Sequence, residues 1–305
     1  MAFNVSSLTD YVIEKPEQLI WEKIYSTGPT ASLMQKQTGV KSAEKINILS
    51  TEGVWQAQGC SFNASGSTNF TQAELNIGKV KIDMSFCERD LEPKYTQGLL
   101  ANGGNYDHLS LAKEITDLVL ANANKRLTTA IWQGDTTSVS VYLNKFDGLQ
   151  KQINAATGKT TISGTAWSSA NSRTVIQALN ASVVANTDVY SGEPTIKYFM
   201  HPATAYAYRQ KLITDNLFHI DGNNPKQKLY AEGTGIEIVE DFGVTPNYIY
   251  AVEPENMFMG VDAENELDKI ELWFSKDDQN IKLHTEFKVC TNVAFGSRCW
   301  QYLGV

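Results

Sequence analysis

The stretch Ile131–Ile153, "IWQGDTTSVSVYLNKFDGLQKQI", decides how the chain is read. Upstream of it, Leu111, Ile115, Leu118, Val119, Ala123, Leu127 and Ile131 recur at three- and four-residue spacing, the stripe of an amphipathic helix. Asp107 stands where an N-cap is needed and Gly134 supplies the stop. Roughly 24 residues at 1.5 Å rise make a rod of about 36 Å, longer than most globular helices. The chain then crosses a Thr/Ser-rich gap and restarts on Phe146-Asp147-Gly148-Leu149. A reading of the fold has to explain why one long helix stops there and a short, apolar-anchored turn follows.

Composition bounds the answer. The 305 residues are 42% hydrophobic and 20% charged, ordinary for a folded protein of one large or two smaller domains. The net charge of −8 argues against a dominant basic face for sequence-specific nucleic-acid binding. The start "MAFNVSSLTDYVIEKPEQL" lacks the basic and apolar regions of a signal peptide, and no apolar run reaches the length of a membrane span. Asn-x-Ser/Thr triplets at Asn4, Asn63, Asn69 and Asn180 are read as plain polar loops. Cys60, Cys87, Cys290 and Cys299 form no Cys-x-x-Cys pair and are read as thiols, with a Cys60–Cys87 bridge across one hairpin the alternative.

Along the chain, residues 1–50 read as an extended arm with at most one short helix, broken at "YSTGPTASL". Two strand-like stretches follow. "INILSTEGVWQAQGCSF" is the first, and "KVKIDMSF" alternates Val80, Ile82, Met84 and Phe86 against Lys79, Lys81, Asp83 and Ser85. With the turn-prone "NASGSTNFTQAE" between them, they are expected to pair as one long hairpin. A two-stranded ribbon is marginal alone in water, so it needs either its own body or another chain to lean on.

After "FDGLQKQI" the texture turns α/β. A helix is expected over residues 169–186, with Val175, Ile176, Leu179 and Val183 buried. "PTIKYFM" follows as a strand, and "HPATAYAYRQKLI" as a helix with Pro202 in its first position. "GIEIVED" and "NYIYAVE" are short strands. Near the end, Ile281, Leu283, Thr285, Phe287 and Val289 alternate with Lys282, His284, Glu286 and Lys288, opposite "KIELWFS" across a turn at 276–280.

Motifs for chemistry fail on inspection. "ATGKTT" ends like a phosphate loop, but Ile153 stands where its first glycine belongs. "GTGIEI" at Gly233 lacks the third glycine of a dinucleotide fingerprint and opens a strand. His108, His201, His219 and His284 are scattered and read as surface or capping residues. Asp262, Glu264, Glu266 and Asp268 resemble half a calcium loop, yet Leu267 replaces the turn glycine, so a solvated loop is expected. No catalytic, cofactor-binding or metal-binding residue is assigned, and the chain is read as no enzyme.

The order of parts resembles the major capsid proteins of tailed bacteriophages, the Hong Kong 97 fold. The resemblance rests on "IWQGDTTS…NKFDGLQKQI", "TIKYFMHPATAYAYRQKL", "GIEIVEDFG…YIYAVEPENMFMGVD" and "NIKLHTEFKVCTNVAFGSRCWQYL", and it spans essentially the whole chain. It implies an α+β fold made of an N-terminal arm (1–50), an E-loop hairpin (51–95), a P domain (96–139) with a spine helix over about 107–131, an α/β A domain (140–261), and C-terminal P-domain strands (262–305) returning toward the A domain. On that resemblance, Trp132 to Asp135 mark the exit from the P domain and Phe146 to Leu149 the entry into the A domain. Gly148 is expected to allow a backbone turn that few residues tolerate.

The implied function is a major capsid protein that self-assembles through hexamers and pentamers into an icosahedral shell around double-stranded DNA. It implies virion localisation, assembly in the host cytoplasm, a separate scaffolding protein, portal and decoration proteins, and non-specific contact with packaged DNA. No membrane and no cofactor is implied. Some relatives cross-link a lysine to an asparagine of a neighbour; Lys79, Lys81 and Asn292 lie on comparable elements, but ordinary polarity explains them here. The acidic balance suits a container, since a strongly basic wall would hold the genome tightly. The rival readings are an encapsulin-like compartment, a small-oligomer enzyme with a site near His201, and a tail-tube or adhesin protein.

Overall fold

The computed structural model describes residues 28–40, 42–51, 55–58, 66, 68–87, 108–186, 189–190, 195–217, 228–262 and 270–304. The dominant helix, α1 (His108–Gln133), runs 26 residues, slightly past the expected end. Asp107, its expected cap, lies outside the described residues. Val119, Ala123, Leu127 and Ile131 are buried as the stripe requires, but Leu118 is 61% exposed. Leu120, 1% exposed, takes a core place instead. The correction is geometric: at 100° per residue, 118 and 120 lie on opposite flanks of the stripe centred on 119 and 123.

One body is a five-stranded sheet packed on α1. Its centre is β12 (Asn280–Val293), which alternates up to Phe287 with Ile281, Leu283 and Phe287 turned into the core, and is then buried on both faces from Phe287 to Thr291. One flank of β12 pairs antiparallel with β4 (Gly78–Cys87), Phe86 opposite Ile281 and Val80 opposite Phe287. The other flank pairs with β11 (Ile270–Ser275) and then β10 (Met257–Val261). β1 (Gln35–Gln37), from the arm, adds parallel to β10. The strand 257–261 belongs to this sheet, because its register with 289–293 continues the β12 ladder.

The hairpin is also corrected. β2 (Glu44–Thr51) pairs not with "KVKIDMSF" but with β3 (Thr68–Leu75), Glu44 opposite Leu75 and Thr51 opposite Thr68. The polar stretch expected to be its turn supplies that second arm. "KVKIDMSF" becomes β4 and leans on β12, since Val80, Ile82 and Phe86 find an apolar partner face there. The ribbon is anchored at its base, where Leu75 is fully buried and Asn292 Nδ2 donates to the Glu74 carbonyl at 2.8 Å.

The other body is a six-stranded mixed sheet in the order β5 (Thr160–Ser163), β13 (Cys299–Leu303), β9 (Tyr248–Val252), β6 (Lys197–Met200), β8 (Glu237–Glu240), β7 (Leu229–Tyr230). α3 (Ser172–Val184) buries Val175, Ile176, Leu179 and Val183, and α4 (Pro202–Thr214) starts on Pro202. β5 and β7 were not foreseen from the sequence. The triplet at Asn180 lies in α3, not a loop: the side chain donates to the Glu232 carbonyl at 2.8 Å and accepts from the Tyr198 hydroxyl at 2.6 Å. The triplet at Asn69 lies in β3, while Asn4 and Asn63 fall outside the described residues.

Candidate functional site

The two bodies meet at the end of α1. Trp132 is fully buried, its ring centroid 5.4 Å from both Phe199 on β6 and Tyr250 on β9. Its Nε1–H donates to the Thr30 hydroxyl oxygen at 3.0 Å. The Thr30 hydroxyl and the Thr30 N–H (3.3 Å) donate to Oδ2 of Asp241, and the Gly243 N–H donates to Oδ1 of Asp241 at 2.8 Å. Asp241 is completely buried, and these donors satisfy its charge in a place where an unpaired carboxylate would be costly. One hydrogen-bonded chain thus ties arm, long helix and second body together.

Beyond Trp132 the loop is closed by two glycines face to face. The Gly148 N–H donates to the Gly134 carbonyl at 2.8 Å, and the Gly134 N–H to the Ala130 carbonyl at 2.8 Å. A Cβ on Gly148 would lie 2.6 Å from the Gly134 nitrogen and 2.7 Å from the carbonyl oxygens of Ala130 and Trp132. Gly148 has φ −83° and ψ 170°, open to any residue. Space, not a special backbone angle, requires glycine here, which corrects the turn-based expectation. Phe146 and Leu149, 3% and 0% exposed, join the core shared with α1 and β12, so they plug the core of the helix-bearing body. Leu149 opens α2 (Leu149–Ala155).

Outside the loop, Lys151 Nζ lies 2.7 Å from a carboxylate oxygen of Asp135 and 2.7 Å from one of Asp147. Lys151 and the hydroxyl and N–H of Thr137 hold the Asp135 carboxyl down at about 2. Burial pushes Asp147 up, but Lys151 and Thr136 outweigh it and keep its carboxyl below the usual range. The Asp147–Lys151 spacing of four was legible in the sequence; the Asp135 partner needs the closed loop.

Beside the junction, β4 and the middle of α1 enclose an apolar groove, two adjoining depressions of about 430 and 480 Å³. Ile82, Met84 and Phe86 form one wall, and Leu118, Ala123 and Arg126 the other. Tyr142 closes one end, with the Arg126 guanidinium 3.8 Å from its ring centroid. Next to it, Val139 and Val141 stand in solvent. The ribbon projects from the same body and carries Trp55, 97% exposed, in the connection between its strands. Exposed aromatics of this size mark contact surfaces.

Among the described residues the histidines do not converge. His201 caps α4, its Nδ1 accepting from the Ala203 N–H at 3.1 Å. His284 sits beside Asp83 at 2.5 Å on the neighbouring strand. His108 opens α1, and His219 lies outside the described residues. Among the described residues no group of three His, Cys, Asp or Glu side chains could hold a metal ion, and no helix is long and apolar enough to cross a membrane. Asp262 is not in a solvated loop: it is fully buried and paired with Lys288 on β12, itself 6% exposed. Glu264, Glu266 and Asp268 lie outside the described residues, as does Cys60. Lys159 of "ATGKTT" donates to the Asn154 carbonyl, holding the end of α2. Lys81 pairs with Asp83 at 2.7 Å, while Lys79 lies in β4 opposite Lys288.

No protein-family model matches the sequence, and no curated protein matches it. Solved structures do. A chain of the satellite phage P4 procapsid, solved with the size determination (Sid) protein, superposes with a TM-score of 0.61 at 8% identity over 95% of this chain and 98% of that one. The fold is that of phage capsid chains. The capsid of cyanophage A-1(L) matches with a TM-score of 0.57 at 14% identity, covering 92% of this chain and 94% of that one. The capsid of Myoviridae phage XM1 matches with 0.55 at 12%, covering 94% and 92%. At these identities the likeness is one of architecture, and it runs nearly end to end.

Proposed function

We propose that this chain is the major capsid protein of a tailed phage, a building block whose work is done by its interfaces. The observation that carries the reading is the capsid fold across nearly the whole chain. The projecting ribbon with its exposed tryptophan supports it, because such a surface has a use in an assembly and is a liability in a lone enzyme. In this reading the β2–β3 ribbon is the E-loop, the α1 body the P domain and the six-stranded body the A domain. Copies meet as hexamers and pentamers and close an icosahedral shell around double-stranded DNA in the virion, after assembly in the host cytoplasm. A separate scaffolding protein, a portal and decoration proteins complete the particle. The protein contributes no catalysis, and its contact with DNA is non-specific, in keeping with the net charge of −8.

Negative-stain microscopy of particles purified from infected or co-expressing cells, followed by nuclease treatment and assay of the contents, tests the reading. Closed shells holding nuclease-protected DNA are expected. Shells filled with a protein cargo would move the assignment to an encapsulin-like compartment, and small oligomers alone would refute a shell of either kind.

A further inference from the structure

We propose that Lys125, Arg126 and Lys145, gathered where α1 meets the loop that follows it, grip the phosphate backbone of packaged double-stranded DNA. The inference rests on the capsid reading and adds to it a named site for a contact that the net charge of −8 leaves without an evident place.

Charge in this stretch is one-sided. From Leu118 to Phe146 the sequence holds these three bases against a single acid, Asp135, and Asp135 is already claimed by Lys151. On α1, Asn122, Lys125, Arg126 and Thr129 recur at three- and four-residue spacing, so they form one polar stripe beside the buried one. With Ser140 and Tyr142 they line a depression of about 430 Å³ that has no carboxylate in its wall. Arg126 and Lys145 also line the adjoining apolar groove, whose one acid, Asp83, is held by Lys81 and His284.

Elsewhere the arginines are neutralised within the chain. Arg173 holds Glu232 and Asp215, Arg209 holds Glu240, and Arg298 holds Glu253. Arg126, the fourth arginine among the described residues, is given a ring instead, its guanidinium 3.8 Å from the Tyr142 centroid. Stacking on the ring face fixes the guanidinium plane and leaves its edge N–H groups open to the two oxygens of a phosphate. Lys125, Arg126 and Lys145 are all exposed, and among the described residues none of the three meets a carboxylate. An acidic protein partner would have to place its carboxylates to match them. Duplex DNA presents a charge about every 1.7 Å of its axis, so three side chains find phosphates in any register and on any base sequence.

Two measurements on the full chain test the site. Unassembled subunits are titrated with a short fluorescent DNA duplex across a salt series. Each of Lys125→Gln, Arg126→Gln and Lys145→Gln is expected to reduce the slope of log affinity against log salt by about 1, and the triple variant by about 3. Lys45→Gln, Lys79→Gln and Lys276→Gln together remove the same charge at exposed sites elsewhere and should change the slope by less than about 1. Tyr142→Phe should keep the Arg126 contribution, and Tyr142→Leu should lose part of it. Because the three side chains are exposed, the triple variant should melt like the parent. In particles, lysine acylation is read by mass spectrometry in DNA-filled and in empty shells, and Lys125 and Lys145 are expected to lose their label only in the filled ones. Equal labelling in both, shielding in both (the mark of a protein partner on this edge), or a triple variant with the parent's salt slope would overturn the proposal while leaving the capsid reading intact. An unaltered chain that forms no DNA-filled shell with any scaffold would overturn the capsid reading, and this contact with it.

Discussion

Replacing Gly148 by alanine separates two explanations of the junction that predict opposite signs. If glycine served only for chain freedom, its φ of −83° would suit alanine, and the substitution would stabilise the fold by about 0.4–1 kcal/mol through the unfolded state. The structure instead puts the new methyl carbon 2.6 Å from the Gly134 nitrogen and 2.7 Å from two carbonyl oxygens. These are backbone atoms of the last turn of α1, which cannot rotate away as a side chain can. The Gly148–Gly134 hydrogen bond of 2.8 Å and the seats of Phe146 and Leu149 must shift together. Overpacking of this kind costs about 1–3 kcal/mol, and contact with backbone places this site at the upper end. Urea unfolding of unassembled subunits should show a lower midpoint at unchanged slope, with the melting temperature lower by roughly 4–10 °C. Gly134→Ala should behave alike, its Cβ meeting the Ala130 and Phe146 oxygens at 2.6 Å. The double variant should cost less than the sum, because both methyls contest one space. A Gly148→Ala subunit as stable as the parent would refute the close-packing account.

Three further outcomes follow from buried or paired groups. Lys288→Met leaves the fully buried Asp262 carboxylate without that cation and should destabilise the subunit by about 3–5 kcal/mol in denaturant titration, with Asp262→Leu in the same chain recovering much of the loss. Burial pushes the thiols of Cys290 and Cys299 up to about 12, so a thiol reagent at pH 8 should label the exposed Cys87 at once and those two only on unfolding. The Asp135 carboxyl is held at about 2, below its ordinary 3.8, so its stabilising pairing is complete above the ordinary value and drains away as pH falls through about 2. Amide exchange in 134–148 should accelerate over that window, and Lys151→Met should weaken the pH dependence, leaving the part owed to Thr137.

The sequence was most legible where one local period ran long. The stripe Val119–Ala123–Leu127–Ile131 and the alternation through the first half of β12, up to Phe287, are each enforced by a single buried face. It was least legible where pairing is decided far away. β3 reads as a polar turn because neither face of "NFTQAE" is strongly apolar, and only its ladder with β2 makes it a strand. β4 has clean alternation, but its partner lies some 200 residues downstream, and nothing local says so. Asp241 looks like any acid in "VEDFG"; its role appears only when Thr30 and Gly243 converge on it. Phe146 and Leu149 are buried, as their apolar character suggested, but in the core shared with α1 and β12, and the need for Gly148 was placed in the wrong variable, because the space around a residue is a tertiary property.

The central claim, that this chain is made to associate, is tested most directly by weighing it. Particle mass, by light scattering or mass photometry, should be compared for the full chain and for a chain in which residues 52–67 are replaced by a two-residue turn, each expressed with its scaffold. The full chain is predicted to form closed shells of megadalton mass. The shortened chain should keep its α1, β12 and six-stranded core but stay as small soluble species. A full-length chain that remains a stable 33.8 kDa monomer under every assembly condition, or a shortened chain that closes shells as well as its parent, would contradict the account.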